Sequence, residues 1–231
     1  METGINYVLI GVLLVLLLAA IEGYKKGFLR VVVSFVGVVA VLFLVIKISP
    51  AVNSFIINNT EVYEKVRSKI VSVYIDEKVQ NATKEQESDT IKSYRFPEVL
   101  ADELVINNTQ DMYDALSVSI FSEYIAGFLS KMVIKIGTFV GLFILFNLIL
   151  WIISIAAKIL DKIPVLKTFN KLLGMIAGLV LGLVAVWTFF LISIVLLGNS
   201  IATTILSQIN GSSLLSFLFN NNVLLDILKR I

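Results

Sequence analysis

Uncharged apolar runs alternate with polar, charged stretches along this 231-residue chain, and the lengths of the runs assign most of its elements. Residues 4–21 carry no charge and, at 1.5 Å per residue, reach roughly 27 Å, close to the thickness of a bilayer's hydrocarbon core. A second run, with Arg30 and Lys47 near its ends, covers residues 28–48, and uncharged runs follow at 136–157 and 172–197. Each predicts a membrane-spanning helix, with Pro50 expected to end the second. A secretory signal peptide is the rival reading of the first run. It would carry positive charge ahead of the apolar stretch, whereas here Glu2 precedes it and Lys25, Lys26 and Arg30 follow. The pattern therefore predicts a retained helix.

The stretches between the runs differ in kind. Residues 22–30 suit only a tight turn between antiparallel helices, and Gly23 and Gly27 there permit backbone angles that bulkier residues resist. Residues 49–131 are polar. Within them Val62, Val66, Ile70 and Val73 recur at helical spacing, which predicts one amphipathic helix over 61–80. A loop is expected over 81–94, and then a helix opened by Pro97, whose early Glu98, Asp102 and Glu103 complement its positive end. Thr109 is placed to cap a further helix through Met112, Leu116, Ile120 and Tyr124 that continues toward the third span. Residues 199–231 are apolar but interrupted by Asn and Gly, and read as two interfacial helices over 201–209 and 213–229.

The expected architecture is thus an all-α integral membrane protein. It has four transmembrane helices, amphipathic extracytoplasmic helices and an interfacial C-terminal helical tail. The expected regions are a first hairpin (1–48), an acidic helical region (49–131), a second hairpin (132–198) and the tail (199–231). Composition agrees: 58% of residues are hydrophobic and 16% charged, too little polar surface for a soluble domain of this length.

Charge adds an orientation. Residues 22–30 carry three basic residues against one acidic, and 158–171 carry Lys158, Lys162, Lys167 and Lys171 against Asp161. Residues 49–131 hold eight basic against thirteen acidic residues, a balance of −5. The positive-inside rule then places both short loops in the cytoplasm, and both termini and residues 49–131 outside.

The third and fourth runs hold the candidate packing residues. Gly174, Gly178 and Gly182 form a stripe with almost no side-chain bulk, on which a second helix backbone can lie close, within the chain or between chains. Gly137 and Gly141 stand one turn apart, and the Asn147 amide needs a partner in its own backbone or on a neighbouring helix.

Two of these stretches resemble a known family. Lys26-Gly27-Phe28-x-Arg30, followed by Ser34-Phe35-Val36-Gly37, is similar to the opening of the second helix in the colicin V production (CvpA-like) family of bacterial inner-membrane proteins. Leu172-Leu173-Gly174 with Gly178 and Gly182 resembles that family's glycine-rich last membrane helix. Val31 stands where members often carry an acidic residue, and Leu181 where some carry a basic one. The resemblance implies a multi-pass protein of the bacterial cytoplasmic membrane, associated with colicin V production or export and envelope function, with no catalytic residues to carry over.

Chemistry narrows the class further. The chain has no His and no Cys, which removes Ser-His-Asp triads, structural zinc sites and disulfides. It has no phosphate-binding Gly-x-x-x-x-Gly-Lys-Ser/Thr loop and no carboxylate pair in a span, so no catalytic, cofactor or metal site is expected. No basic face is interleaved with aromatics to bind nucleic acid. The expected partners are membrane lipid and a second copy or another membrane protein. The leading expectation is a non-catalytic accessory or structural membrane protein. The alternative is a passive channel or transporter subunit assembled from several copies.

Overall fold

The computed structural model describes residues 5–94, 96–156 and 168–230. The protein is an all-α integral membrane protein. Among the described residues four helices are long and apolar enough to cross a bilayer: α1 (Tyr7–Lys26), α2 (Phe28–Asn59), α8 (Phe121–Ala156) and α9 (Thr168–Val195). Shorter helices lie between α2 and α8: α3 (Val62–Tyr74), α4 (Glu77–Gln80), α5 (Glu87–Ser93), α6 (Glu98–Ile106) and α7 (Gln110–Leu116). After α9 come α10 (Ser200–Asn210), α11 (Ser213–Asn220) and α12 (Val223–Arg230).

The boundaries differ from the sequence expectation where local chemistry or burial outweighs the pattern. Pro50 does not end the second helix; α2 runs through it to Asn59. Proline removes one backbone donor, and membrane helices tolerate it where nearby groups satisfy the freed carbonyl. The helix expected over 61–80 breaks at Ile75, because the Asp76 carboxylate accepts from the Lys78 and Val79 N–H groups and so starts α4. The stretch expected as a loop over 81–94 contains α5, whose Ile91 and Glu87 are buried. Pro97 is the N-cap of α6, one place ahead of the expected position. Thr109 caps α7 by accepting from the Met112 N–H, but the helix stops at Ser117 in the left-handed conformation (φ 56°) and α8 starts afresh. The tail forms three helices, since Asn221 ends α11 with its N–H and side-chain amide both on the Phe217 carbonyl.

The chain divides into two compact units. One comprises residues 1–50, 138–190 and 223–231. It holds α1, most of α2, α8 and α9, and α12. Val45, Phe139 and Phe190 are fully buried in it, while Leu13, Leu17, Ile144, Leu148, Ile176 and Val180 are exposed, as lipid-facing positions are. α12 turns Leu224, Leu225 and Leu228 inward and leaves Asp226, Lys229 and Arg230 at the surface.

The other unit comprises residues 51–137 and 191–222, so the middle region and the first two tail helices form one body. Ile70, Leu100, Leu104, Tyr124 and Leu129 form its core together with Leu206, Ile209, Leu215 and Phe219 from α10 and α11. Tyr124 lies fully buried, and its hydroxyl donates to the Leu104 carbonyl at 2.6 Å, so the phenol carries no unsatisfied polar atom. Polar bonds attach the tail to this core: the Asn210 amide donates to the Phe96 carbonyl at 3.3 Å, and the Asn220 amide to Glu98 at 3.1 Å.

Candidate functional site

The glycine stripe of α9 meets α1. A β-carbon built on Gly174 would lie 2.8 Å from the Gly27 Cα, and one on Gly178 would lie 2.9 Å from the Gly23 Cα. At Gly182 it would meet the Ala19 Cβ at 2.7 Å. Real β-carbons do not approach backbone this closely, so the two helices touch along Ala19, Gly23 and Gly27 of one and Gly174, Gly178 and Gly182 of the other. The contact exists because both helices place small residues four apart on one face, letting backbones gain dispersion contact that lipid cannot replace. Gly23 belongs to the contact rather than to a turn: it is helical and buried, and only Gly27 leaves helical geometry (φ 78°). The Gly27 N–H donates to the Gly23 carbonyl at 2.9 Å and its own carbonyl accepts from Val31, so this residue closes α1 and opens α2.

The remaining residues singled out in the sequence take separate places. A β-carbon on Gly37 would lie 2.6 Å from the Leu150 side chain, so α2 and α8 approach there. Gly137 meets Val195 at an ordinary 3.5 Å, and Gly141 faces open space. The Asn147 amide donates to the Phe143 carbonyl one turn back, which takes the intrahelical of its two expected partners. Lys26 pairs with Glu22 at 2.6 Å at the surface, Phe28 starts α2, and the Arg30 carbonyl accepts from the Ser34 hydroxyl. Lys171 sits 5.8 Å from the Tyr24 ring centroid, a cation–π distance. Lys158, Asp161, Lys162, Pro164 and Lys167 of the basic loop lie outside the described residues.

The acidic unit holds two polar features that periodicity did not reveal. Glu87, 7% exposed, accepts from the Asn108 amide at 2.6 Å and pairs with Lys84 at 3.1 Å. The same Lys84 lies 5.4 Å from the Tyr113 ring centroid. Burial, with the Glu87 charge nearby, pushes the Tyr113 phenol up to about 12, so it stays a neutral donor. The second feature is a cleft of about 440 Å³ whose lining includes Tyr94, Phe96, Lys92, Glu98 and Asp102. The signal for both lay in residues far apart in sequence, such as Glu87 with Asn108, that only the folded chain brings together. Among the described residues no group of three or more carboxylates is placed to hold a metal. No family model, curated protein or solved structure matches the chain.

Proposed function

We propose that the protein is a non-catalytic accessory component of a bacterial cytoplasmic membrane, a rigid helical anchor that holds an acidic helical unit for a partner protein. The observation that carries this reading is the backbone contact between α1 and α9. A contact made of glycine and alanine has no side chains to rearrange and no room for water, which suits a fixed support better than a moving gate. It also occupies the stripe within one chain, so assembly of several copies through that face loses its main support, and recognition falls to the other unit. There, eight basic residues face thirteen acidic ones over positions 49–131, which suits a basic partner. The resemblance to the colicin V production family supports a place in toxin production or export and envelope function. The basic residues of 22–30 and 158–171 support a cytoplasmic position for both short loops and an outer position for the acidic unit.

Three measurements test the reading. Photo-crosslinkers placed at the exposed Asp102 and Asp111 in intact cells are expected to capture a discrete envelope protein, while the purified protein leaves planar bilayers silent. Single-channel conductance that Gly178→Leu abolishes would replace the accessory reading with the pore reading. A membrane-impermeant maleimide should label Asp111→Cys but not Lys26→Cys in intact spheroplasts, and the opposite pattern would invert the topology.

A further inference from the structure

We propose that α10 and α11 form a lipid-contacting surface that seats in the boundary between headgroups and acyl chains and binds by apolar contact, without need of anionic lipid. The proposal stands apart from the reading of the acidic unit. Four observations converge on it.

First, residues 172–225 contain no Asp, Glu, Lys or Arg, although roughly a quarter of the residues in an ordinary soluble domain are charged. The fourth span accounts for that absence only as far as Val195, where α9 ends. Second, both tail helices are two-faced. Ala202, Leu206, Ile209, Leu215 and Phe219 are buried against their own unit, while Ile201, Leu214 and Phe217 are 58%, 44% and 62% exposed. Leu214 and Phe217 stand three apart, so they share one face of α11. Third, the polar part of the exposed surface is uncharged: the amides of Asn199, Asn210 and Asn221 and the hydroxyls of Ser200, Thr203, Thr204 and Ser213. Groups of this kind bond to water or headgroups and carry no charge to desolvate. Fourth, the tail begins where a span ends. α9 stops at Val195, Gly198 takes φ 87°, and α10 starts at Ser200, so only four residues separate the end of the span from the first tail helix. α3 makes the contrast: its exposed positions include Glu64, Lys65 and Lys69, the mark of a face turned to water.

Interfacial helices that use electrostatics carry Lys and Arg on their polar face, and this pair carries none. The occupant is therefore the neutral interface of the bilayer, reached by apolar side chains alone.

The chain has no cysteine, so single sites can be labelled in the full protein. Nitroxides attached to Leu214→Cys, Phe217→Cys and, as a water-facing control, Asp111→Cys would be followed by power saturation. The protein would sit in nanodiscs of phosphatidylcholine alone, or with phosphatidylglycerol added. The expected result is an oxygen-to-nickel-chelate accessibility ratio severalfold higher at 214 and 217 than at 111, and equal in the two lipid mixtures. A low ratio at 214 and 217 would overturn the proposal by placing the face in water. Exclusion of both reagents there would overturn it by showing a protein cover. A high ratio only with phosphatidylglycerol would overturn the apolar mode of binding. All three sites are exposed, so the labels leave the core packing intact.

Discussion

A β-carbon on Gly178 would lie 2.9 Å from the Gly23 Cα, and the obstacle is backbone, which cannot turn aside as a side chain does. Gly178→Leu should therefore force α1 away and cost about 3 kcal/mol, the upper end of overpacking penalties, read as a lower midpoint of unfolding in mixed detergent micelles. Gly141→Ala and Gly11→Ala are the controls, since nothing lies within 4 Å of either position. They should be neutral, or stabilising by up to about 1 kcal/mol through helix propensity. Equal losses at all four-spaced glycines would mean that close approach is not what the stripe provides. A second residue-scale effect is electrostatic. The Tyr94 hydroxyl donates to Asp76 at 2.7 Å and holds that carboxyl below its usual value, assisted by the backbone N–H groups of Val79 and Lys78. A carboxyl lowered by folding contributes stability above its unfolded pKa and loses it as the pH falls through the folded one. Tyr94→Phe should therefore raise the Asp76 titration midpoint in carboxyl NMR and bring the acid loosening of the turn before α4 to higher pH. An unmoved midpoint would assign the shift to the backbone donors alone.

Helix boundaries record which local signals survive tertiary packing. The Thr109 cap was legible because an Ncap side chain and its N–H partner are three residues apart. The stop at Ser117 was not, because the apolar pattern of Met112, Leu116, Ile120 and Tyr124 continues across it without glycine or proline. The break lets Tyr113 and Tyr124 stack at 5.1 Å between centroids, a contact made across two helices. Ser117 holds φ 56°, a conformation that costs a non-glycine residue roughly 1 kcal/mol. Ser117→Gly should return about that amount in thermal or chemical unfolding. A loss instead would mean that the serine hydroxyl matters more than the backbone angle. α5 was hidden for the opposite reason: its residues look like a polar loop, and the burial of Ile91 at 1% exposure decides its structure. Pro50 is a weaker stop than its place in the sequence suggests, since a long apolar helix such as α2 tolerates the one donor it removes.

At the scale of the whole molecule, the number of spans was legible and their pairing was not. Span length is a property of each run alone, whereas a small-residue stripe packs as well against a second copy as against another helix of its own chain. Here the partner is α1, whose Gly23 reads in sequence as freedom for a turn and in the fold as half of the contact. The roughly 140 residues between the two helices include residues 51–137 of the acidic unit, so joining α1 to α9 closes a long loop. That closure predicts a specific crosslink. The double variant Ala19→Cys with Gly182→Cys, in a chain otherwise free of cysteine, should oxidise within one chain. The native β-carbon of Ala19 lies 2.7 Å from the position a Gly182 β-carbon would take, so the helices need yield by only about 1 Å to reach the usual disulfide spacing. The product should migrate as a monomer of altered mobility, and each single variant should give no dimer. Dimers from Gly182→Cys alone would move the glycine face to a contact between copies and return assembly to the centre of the protein's function. Monomeric closure leaves α1 and α9 as the fixed support, and directs the search for a partner to the acidic helices.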